Sequence, residues 1–217
     1  EGTPGLVIPL MDYIYEQRLD YAWMKLLILG SDVCSINDFK RVYTRFSHAM
    51  RIINSYGTTE TTIDSSYFET DNIDSLDGLV NVPIGKPLWN NSFYILNTSE
   101  SLAPIGVVGE LCIGGSGVAK GYLNQEELTR EKFIANPFKE GERMYKTGDL
   151  ARWLPDGNLE FIGRKDDQVK IRGYRIELGE IENVLSSLSG VTQCCVLARE
   201  DVNGTKRLLG YVVLEGT

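Results

Sequence analysis

Apolar and polar positions in the first part of the chain follow the pattern of an α/β unit. The apolar run from Lys25 to Leu29, closed by glycine, predicts a buried strand. Ser35 is a suitable N-cap for an amphipathic helix, and 51–55 predicts the next strand, which completes a β–α–β unit. A further helix is predicted after Pro9, because proline disrupts a helix interior. The helical spacing in these two helices is set by Leu10, Met11 and Ile14, and by Ile36, Phe39, Val42, Tyr43 and Phe46.

From Phe93 onward the pattern changes to short strands, with a helix near 125–133. Asp156-Gly157 predicts a hairpin turn. The charged run 164–167 has the composition of a linker, and the predicted helix beyond it covers 180–188. Asn203-Gly204 predicts the turn of a last hairpin. The predicted strands are 93–96, 109–113, 144–146, 151–154, 168–172, 174–176, 191–199 and 206–214.

Composition excludes several classes of protein. The 217 residues suffice for one large domain or one and a half, and the 42% hydrophobic content is that of a globular chain. A net charge of −8 argues against a nucleic-acid groove, which needs a basic surface. No apolar run approaches the roughly 20 residues that span a bilayer, and no secretory signal opens the chain. We therefore expect no membrane or nucleic-acid partner.

Histidine and cysteine usage points to a reducing, cytoplasmic compartment. His48 is the single histidine, which leaves no room for a His-based metal site, and we interpret it as a solvated surface residue. Adjacent Cys194 and Cys195 would point to opposite faces of a strand, so neither a structural zinc nor a disulfide framework is expected. The absence of an initial methionine before Glu1 indicates the middle of a protein.

Three stretches carry candidate chemistry. In 54–62, Tyr56 could stack on a base, Thr59 could donate to a phosphate oxygen and Glu60 could hold Mg²⁺. In 145–150, a strand ends at a Gly-Asp turn, where the Asp149 carboxylate could accept two ribose hydroxyls. The third, 163–182, mixes charge and glycine more densely than a linker does. Taken singly, these stretches are more often a β-turn, a strand end and a solvated charged surface. The glycine-rich run 114–121 fits neither the G-x-G-x-x-G fingerprint nor the P-loop, and we interpret it as a tight turn.

In their order and spacing these stretches resemble the adenylation domains of nonribosomal peptide synthetases, in the superfamily of adenylate-forming enzymes. The Asn-x-Tyr-Gly-Pro-Thr-Glu motif is matched at 54–60 with Thr58 in place of proline. Residues 109–123 match the next motif, 147–149 the Thr-Gly-Asp motif, and 163–173 the Gly-Arg-x-Asp-x-Gln-Val-Lys-Ile-Arg-Gly motif. The resemblance covers essentially the whole chain.

The resemblance implies that ATP and an amino acid form an aminoacyl-adenylate and pyrophosphate, with transfer to the phosphopantetheine thiol of a peptidyl carrier protein. A condensation domain would be a further partner. Thr59 would contact the α-phosphate and Glu60 the Mg²⁺. Asp166 would be the hinge of a mobile C-terminal domain, and Gly173 would let a loop approach the pantetheine tunnel. The remaining nucleotide-binding positions would be Asn54, Tyr56, Gly57, Asp149, Phe161 and Arg164, where phenylalanine 161 replaces a family tyrosine and loses its hydroxyl.

Parts of the family pattern have no match in the chain. These are the Ser/Thr/Gly-rich phosphate loop, the aspartate that grips the α-amino group, the catalytic lysine and a carrier domain. We therefore expect an internal fragment that is inactive by itself. Residues 1–165 would be the distal part of the large domain, with an α/β layer and a small β-barrel. Residues 166–217 would open the α+β C-terminal domain.

The family's side-chain pocket predicts a basic amino acid. Two carboxylates in a small apolar pocket are costly unless a cation joins them. Each ammonium–carboxylate contact at about 4 Å would contribute roughly 4 kcal/mol before desolvation at an effective dielectric near 20. The residues at the six pocket positions also resemble those of ornithine-activating domains, so ornithine is the predicted substrate, with lysine or diaminobutyrate as further candidates. The pocket positions are Glu1, Ile28, Gly30, Ser55, Ile63 and Asp64.

Alternatives remain open at this stage. Asp64 could instead be solvated or hydrogen-bonded to Thr61. The parent protein could be an acyl-CoA ligase with the same nucleotide motifs, although the run 169–182 and the charged pocket favour a peptide synthetase. A non-catalytic binding or docking module is the third possibility, against which the intact Glu60, Asp149 and Asp166 argue.

Overall fold

The computed structural model describes residues 1–79, 81–166, 168–171, 173–200 and 206–215. They form two compact units, Glu1–Lys165 and Asp166–Thr217. The division falls within the charged run 164–167, while the assignment of the units to two larger domains, with Asp166 as the hinge, stays a prediction. The predicted turn at Asn203-Gly204 lies outside the described residues, as do Asp167 and Arg172 of the charged motif.

The first half of unit 1 is an α/β layer. Its elements are α1 Pro4–Glu16, β1 Leu26–Leu29, α2 Ile36–Phe46, β2 Arg51–Tyr56, β3 Ser66–Phe68 and β4 Lys86–Pro87. The strand order is β1-β2-β3-β4, with β1 and β2 parallel and the other pairs antiparallel. Ser35 caps α2 by accepting a hydrogen bond from the Asp38 N–H at 3.1 Å. The predicted β–α–β unit is confirmed.

The start of the first helix differs from the prediction. The helix α1 begins at Pro4 and runs through Pro9. Pro4 suits a first helical turn, where its missing N–H would have no partner in any case, and Thr3 provides the extended N-cap. Pro9 removes one hydrogen bond within the helix. Its buried neighbours Val7, Ile8 and Met11 hold the segment helical by packing on the core.

The second half of unit 1 is an antiparallel sheet, in the segment predicted to form a small barrel. Its elements are β5 Asn91–Leu96, β6 Gly109–Gly115, α3 Glu126–Lys132, β7 Phe133–Ala135, β8 Arg143–Trp153 and β9 Leu159–Arg164. The order is β5-β6-β8-β7, and β9 also pairs with β8. The Asp156-Gly157 hairpin turn is confirmed by the bond from the Leu154 N–H to the Asn158 carbonyl at 2.8 Å.

Strand β8 corrects two predictions. The segments 144–146 and 151–154 are parts of one strand, and Gly148-Asp149 does not end a strand but lies inside β8. Gly148 has φ +74°, and the pairing of β8 with β6 shifts register between Glu110 and Cys112. These features define a β-bulge, which bends the strand without ending it.

Two large apolar clusters lie in the described part of unit 1, beside a smaller one formed by Leu96, Cys112 and Met144. The first packs α1 and α2 on the α/β sheet through side chains such as Met11, Phe39 and Phe46, all 0% exposed. The second joins Tyr56, at the end of β2, to residues of the antiparallel sheet such as Leu111 and Leu159. The end of β2 is therefore fixed against the antiparallel sheet.

Unit 2 contains a short hairpin, a helix and a longer hairpin. Its elements are β10 Val169–Ile171, β11 Tyr174–Ile176, α4 Leu178–Ser186, β12 Val191–Glu200 and β13 Lys206–Leu214. Both hairpins are antiparallel. Glu182 of α4 accepts a hydrogen bond from the Val196 N–H at 2.8 Å, which ties the helix to β12.

The cysteines are all free, in agreement with the absence of a predicted disulfide framework. Burial raises the pKa of the Cys34 and Cys112 thiols to about 12. His48 is exposed, and its Nε2 lies 3.4 Å from the Tyr21 hydroxyl. No helix within the described ranges is long and apolar enough to cross a bilayer.

Candidate functional site

Tyr56 and Asp149 meet inside unit 1, although 93 positions separate them. The Tyr56 hydroxyl donates a hydrogen bond to Asp149 Oδ2, and both residues are buried, at 6% and 3% exposure. Arg164 Nη1 donates to Asp149 Oδ1 at 2.7 Å and to the Thr147 carbonyl at 2.9 Å. The two carboxylate oxygens are thus held by partners from the ends of two other strands.

The bulge in β8 determines where Asp149 lies. The Thr147 hydroxyl donates to the Leu111 carbonyl at 2.7 Å and accepts from the Asp149 N–H at 2.9 Å. Gly148 provides the positive φ between them. Because the bulge re-aims the side chain that follows it, the Asp149 carboxylate points to Tyr56 from the middle of a long strand.

The protonation of Tyr56 follows from its surroundings. Burial, and after it the charge of Asp149, raise the pKa of Tyr56 well above its usual range. The hydroxyl is therefore a hydrogen-bond donor throughout the neutral range, and it keeps the carboxylate oriented.

The turn that follows Tyr56 is closed by backbone contacts. A Cβ on Gly57 would lie 1.7 Å from the Ile63 carbonyl oxygen, so only glycine fits. The Ser65 N–H donates to the Tyr56 carbonyl at 2.8 Å. Thr58, which stands at the family's proline position, donates its N–H to Thr61 Oγ1 at 3.3 Å, a bond that proline cannot make.

Within this turn, Thr59 and Glu60 begin a short 3-10 helix, Thr59–Thr61. Thr59 is exposed, whereas Glu60 is only 7% exposed. The Ala119 N–H donates to the Glu60 carbonyl at 2.8 Å, and Thr62 Oγ1 donates to the Gly117 carbonyl at 2.8 Å. The glycine-rich run is a turn, as predicted, and it packs against the Thr-Glu segment.

Sequence reasoning missed Tyr122. Its hydroxyl donates to Glu60 Oε1 at 2.7 Å and lies 3.3 Å from the Tyr145 hydroxyl. Burial, followed by the hydrogen bonds with Tyr145 and Glu60, raises the pKa of Tyr122. The signal was the Gly-Tyr-Leu end of the matched motif 109–123, to which no chemical role had been given.

Three of the predicted pocket positions, Glu1, Gly30 and Ser55, lie together at the carboxyl ends of β1 and β2. Leu29 pairs with Asn54, which brings Gly30 next to Ser55. The first residues of the chain run beside β1, since the Gly30 N–H donates to the Gly2 carbonyl at 3.1 Å. A Cβ on Gly30 would lie 2.4 Å from Ser55 Oγ and 3.5 Å from Glu1 Oε1. Ser55 Oγ therefore packs against the Gly30 backbone, with Glu1 Oε1 close by and the half-buried Ile28 on the same strand as Leu29.

Ile63 and Asp64 lie in the turn after β2, where Ile63 is exposed and Asp64 half-buried. The alternative hydrogen bond from Thr61 to Asp64 is not formed, because the Thr61 hydroxyl bonds to Thr58 and Ser65. The salt bridges within the described ranges include neither Glu1 nor Asp64. Neither carboxylate is therefore neutralised by a described cation.

Two buried side-chain oxygens at this edge have no hydrogen-bond partner among the residues that the structure describes. They are Ser55 Oγ and Asn54 Oδ1, whereas Asn54 Nδ2 donates to the Pro83 carbonyl at 2.8 Å. A buried polar atom without a partner costs about 1–3 kcal/mol. Such atoms are candidate contacts for a bound polar group.

The last predicted positions lie farther along the chain. Phe161 is on β9 opposite Ala151, half-buried against the second apolar cluster. Asp166 opens unit 2, and its Oδ1 accepts from the Gln168 N–H at 3.3 Å. Gly173 joins β10 and β11 with φ +81°.

Comparison with known proteins identifies the family. Residues 2–123 match the sequence profile of the AMP-binding enzymes. Over 215 residues the chain is 58% identical to tyrocidine synthase 3 of Brevibacillus parabrevis, covering 99% of the chain and 3% of that protein. Over 213 residues it is 56% identical to bacitracin synthase 2 of Bacillus licheniformis, covering 98% of the chain and 8% of that protein. The chain thus spans a small part of these relatives.

Solved structures similar to this chain agree with the sequence comparison. Holo-PA1221, described as an NRPS protein with adenylation and PCP domains bound to a vinylsulfonamide inhibitor, superposes with a TM-score of 0.86 at 31% identity. The match covers 99% of this chain and 36% of that one. NpsA-ThdA, an artificially fused adenylation-PCP didomain from Klebsiella oxytoca, gives 0.83 at 27% identity over 98% and 38% of the two chains. The chain belongs to the AMP-binding enzyme family, and over nearly its whole length it is similar to parts of NRPS proteins that contain adenylation domains.

Proposed function

We propose that the chain works within an ATP-dependent amino-acid activating enzyme. The enzyme would join an amino acid to ATP, release pyrophosphate and pass the aminoacyl group to the phosphopantetheine thiol of a carrier protein. The observation that carries the proposal is the buried contact between Tyr56 and Asp149, which brings two distant nucleotide motifs to one place.

The residues around this contact suit an adenosine. Asp149 can accept further hydrogen bonds from ribose hydroxyls, because an ionised carboxylate offers about four acceptor positions and two partners occupy only part of them. The unpartnered Asn54 Oδ1 could accept from the exocyclic amine of adenine. Phe161 would add apolar packing without a hydroxyl, and Gly57 would keep the turn close to the strand end.

Glu60 would hold Mg²⁺ together with phosphate oxygens. No group of three or more His, Cys, Asp or Glu that could hold a metal occurs in the described parts of the chain. A single buried carboxylate still fits, because Mg²⁺ is commonly bound by one or two carboxylates plus substrate phosphates. The cation would offset the phosphate charge, and the exposed Thr59 hydroxyl would donate to the α-phosphate.

The amino acid would be ornithine, with lysine or diaminobutyrate as the closest chemical substitutes. Glu1 and Asp64 supply two carboxylates that no described cation neutralises, and the unpartnered Ser55 Oγ could accept from an ammonium. Gly30 and Ser55 would leave depth for a linear side chain, because both residues are small. Ile28 and Ile63 would contact its methylene groups.

A carrier protein is the expected partner, because two solved relatives contain an adenylation and a carrier domain together. Asp166 would be the hinge between the adenylation and transfer states, and Gly173 would shape the loop that meets the pantetheine arm. A condensation domain and a cytoplasmic location complete the proposal.

Pyrophosphate exchange tests the function in the protein that carries this chain with the remaining family motifs. We expect exchange that depends on ornithine. Exchange driven best by leucine or phenylalanine would refute the charged pocket. Formation of acyl-CoA from a carboxylic acid would identify a ligase, and no exchange with any substrate would identify a docking module.

A charge substitution sharpens this test. Asp64→Asn should lower kcat/KM for ornithine by about 100-fold, since the ammonium–carboxylate attraction is worth roughly 4 kcal/mol before desolvation. The matched control is Asp71→Asn, which removes an exposed carboxylate from the loop after β3. An equal loss in both variants would refute the assignment of Asp64.

A further inference from the structure

Tyr122 reaches Glu60 from a distant segment, the end of the motif 109–123, to which no chemical role has been assigned. Its hydroxyl donates to Glu60 Oε1 at 2.7 Å, across 62 positions of sequence. Glu60 is 7% exposed, so this hydrogen bond forms away from bulk water. A bond between a hydroxyl and a buried carboxylate fixes the orientation of the carboxylate.

Tyr122 is itself held on two sides. Its N–H donates to Thr129 Oγ1 of α3 at 2.9 Å. Its ring meets Phe133 of β7 edge-on, with centroids 5.3 Å apart. Phe133 also packs on Tyr145, at 5.0 Å, and the Tyr145 hydroxyl lies 3.3 Å from that of Tyr122. The hydroxyl therefore has little freedom to leave the carboxylate.

The backbone before Tyr122 admits only glycine. Gly121 has φ +146°, and a Cβ there would lie 2.3 Å from Thr129 Cγ2. This close approach places the first turn of α3 directly beside the tyrosine. The glycine-rich run, which the sequence indicated only as a turn, thus delivers a hydroxyl to the Thr-Glu segment.

We infer that Tyr122 is a positioning residue, whose hydroxyl orients the Glu60 carboxylate for the magnesium ion of bound ATP. The inference rests on the proposed function. A carboxylate offers about four acceptor positions, and the bond from Tyr122 occupies one of them. Outer partners of this kind tune metal affinity by about 10- to 100-fold.

The test uses the complete adenylating protein and Mn²⁺, which is detected by electron paramagnetic resonance, with a nonhydrolysable ATP analogue. Tyr122→Phe removes the hydroxyl and keeps the ring. We expect it to raise the dissociation constant of nucleotide-dependent Mn²⁺ by about tenfold. Binding of the metal-free analogue and of ornithine should stay within about twofold of wild type, which a general structural defect would not allow.

Two further variants make the result specific. Tyr94→Phe removes another tyrosine hydroxyl, which accepts from Asn136 at 3.2 Å, and should leave the Mn²⁺ affinity unchanged. In the Glu60→Gln background, Tyr122→Phe should cause no additional loss. Additive losses would show that Tyr122 acts independently of Glu60 and would overturn the inference.

The remaining outcomes are also decisive. An unchanged Mn²⁺ affinity in a folded Tyr122→Phe protein overturns the inference and leaves the proposed function standing. If Tyr122→Phe does not fold, Phe133→Leu takes its place, because it loosens the packing of the Tyr122 ring. Phe133→Leu should weaken Mn²⁺ binding, and an unchanged Mn²⁺ affinity in this variant overturns the inference. A wild-type protein that binds no nucleotide-dependent Mn²⁺ overturns the proposed function together with it.

Discussion

Removing the Tyr56 hydroxyl perturbs the contact on which the site depends. Tyr56→Phe keeps the ring in the second apolar cluster and deletes the hydrogen bond to Asp149. The Arg164 bond to Oδ1, at 2.7 Å, remains. The buried Asp149 Oδ2 then loses its donor.

The expected magnitude follows from the type of bond. A hydrogen bond to a charged group contributes about 1.5–3 kcal/mol. In a domain of 150–250 residues each kcal/mol corresponds to about 2–4 °C in Tm. Because both residues are almost fully buried, water cannot easily replace the lost donor. We therefore expect Tyr56→Phe to lower Tm by about 3–12 °C.

Thermal unfolding of the chain, followed by circular dichroism, measures this change. Tyr94→Phe is the matched control, since the Tyr94 hydroxyl bonds to the neutral Asn136 amide, a class of bond worth about 0.5–1.5 kcal/mol. Tyr94→Phe should therefore lower Tm by less than Tyr56→Phe does. A Tm for Tyr56→Phe within about 1 °C of wild type would refute the buried contact.

Three further predictions follow from the same structure. Gly57→Ala should prevent the turn from forming and abolish nucleotide binding, measured by calorimetry, because the new Cβ would meet the Ile63 carbonyl. Gly5→Ala is the control and should leave binding unchanged, since a Cβ at Gly5 has no other atom within 4 Å. The free energy of unfolding, measured with denaturant, should fall above about pH 9. The Cys34 thiol ionises there in the unfolded chain, whereas in the folded chain it has a pKa of about 12 and stays protonated. Cys34→Ala should reduce this loss of stability at alkaline pH. Arg164→Lys should weaken ATP binding by about tenfold or more in the complete protein. One ammonium does not reproduce the guanidinium, which bonds to two oxygens of the bulge. Equal ATP affinities of the variant and the wild type would contradict this role.

Much of the fold is predictable because it depends on local signals. Ser35 and the apolar spacing behind it define α2, and the glycine in Asp156-Gly157 defines a tight turn. The start of α1 was wrong because its tertiary packing outweighs the penalty of Pro9. Strand β8 was divided in two because a Gly-Asp pair usually ends a strand, and the bulge there depends on a hydrogen bond to Leu111 on the neighbouring strand.

Local patterns predict the candidate site only as separate motifs, and it is the family resemblance that assigns Tyr56 and Asp149 to one nucleotide. The sequence places Tyr56 and Asp149 in two turns, and nothing local indicates that their side chains touch. The bond from Tyr122 to Glu60 was missed for the same reason, since it depends on the path of the chain around α3. Long-range contacts of this kind are set by packing between sheets, which periodicity does not reveal.

A crystal structure of the complete domain with a nonhydrolysable ornithyl-adenylate analogue tests the central claim most directly. The account predicts one adenosine with its base against the Tyr56 ring and both ribose hydroxyls hydrogen-bonded to Asp149. It also predicts the side-chain ammonium of the analogue between Glu1 and Asp64. An adenosine bound elsewhere, or one that contacts only one of Tyr56 and Asp149, would contradict it.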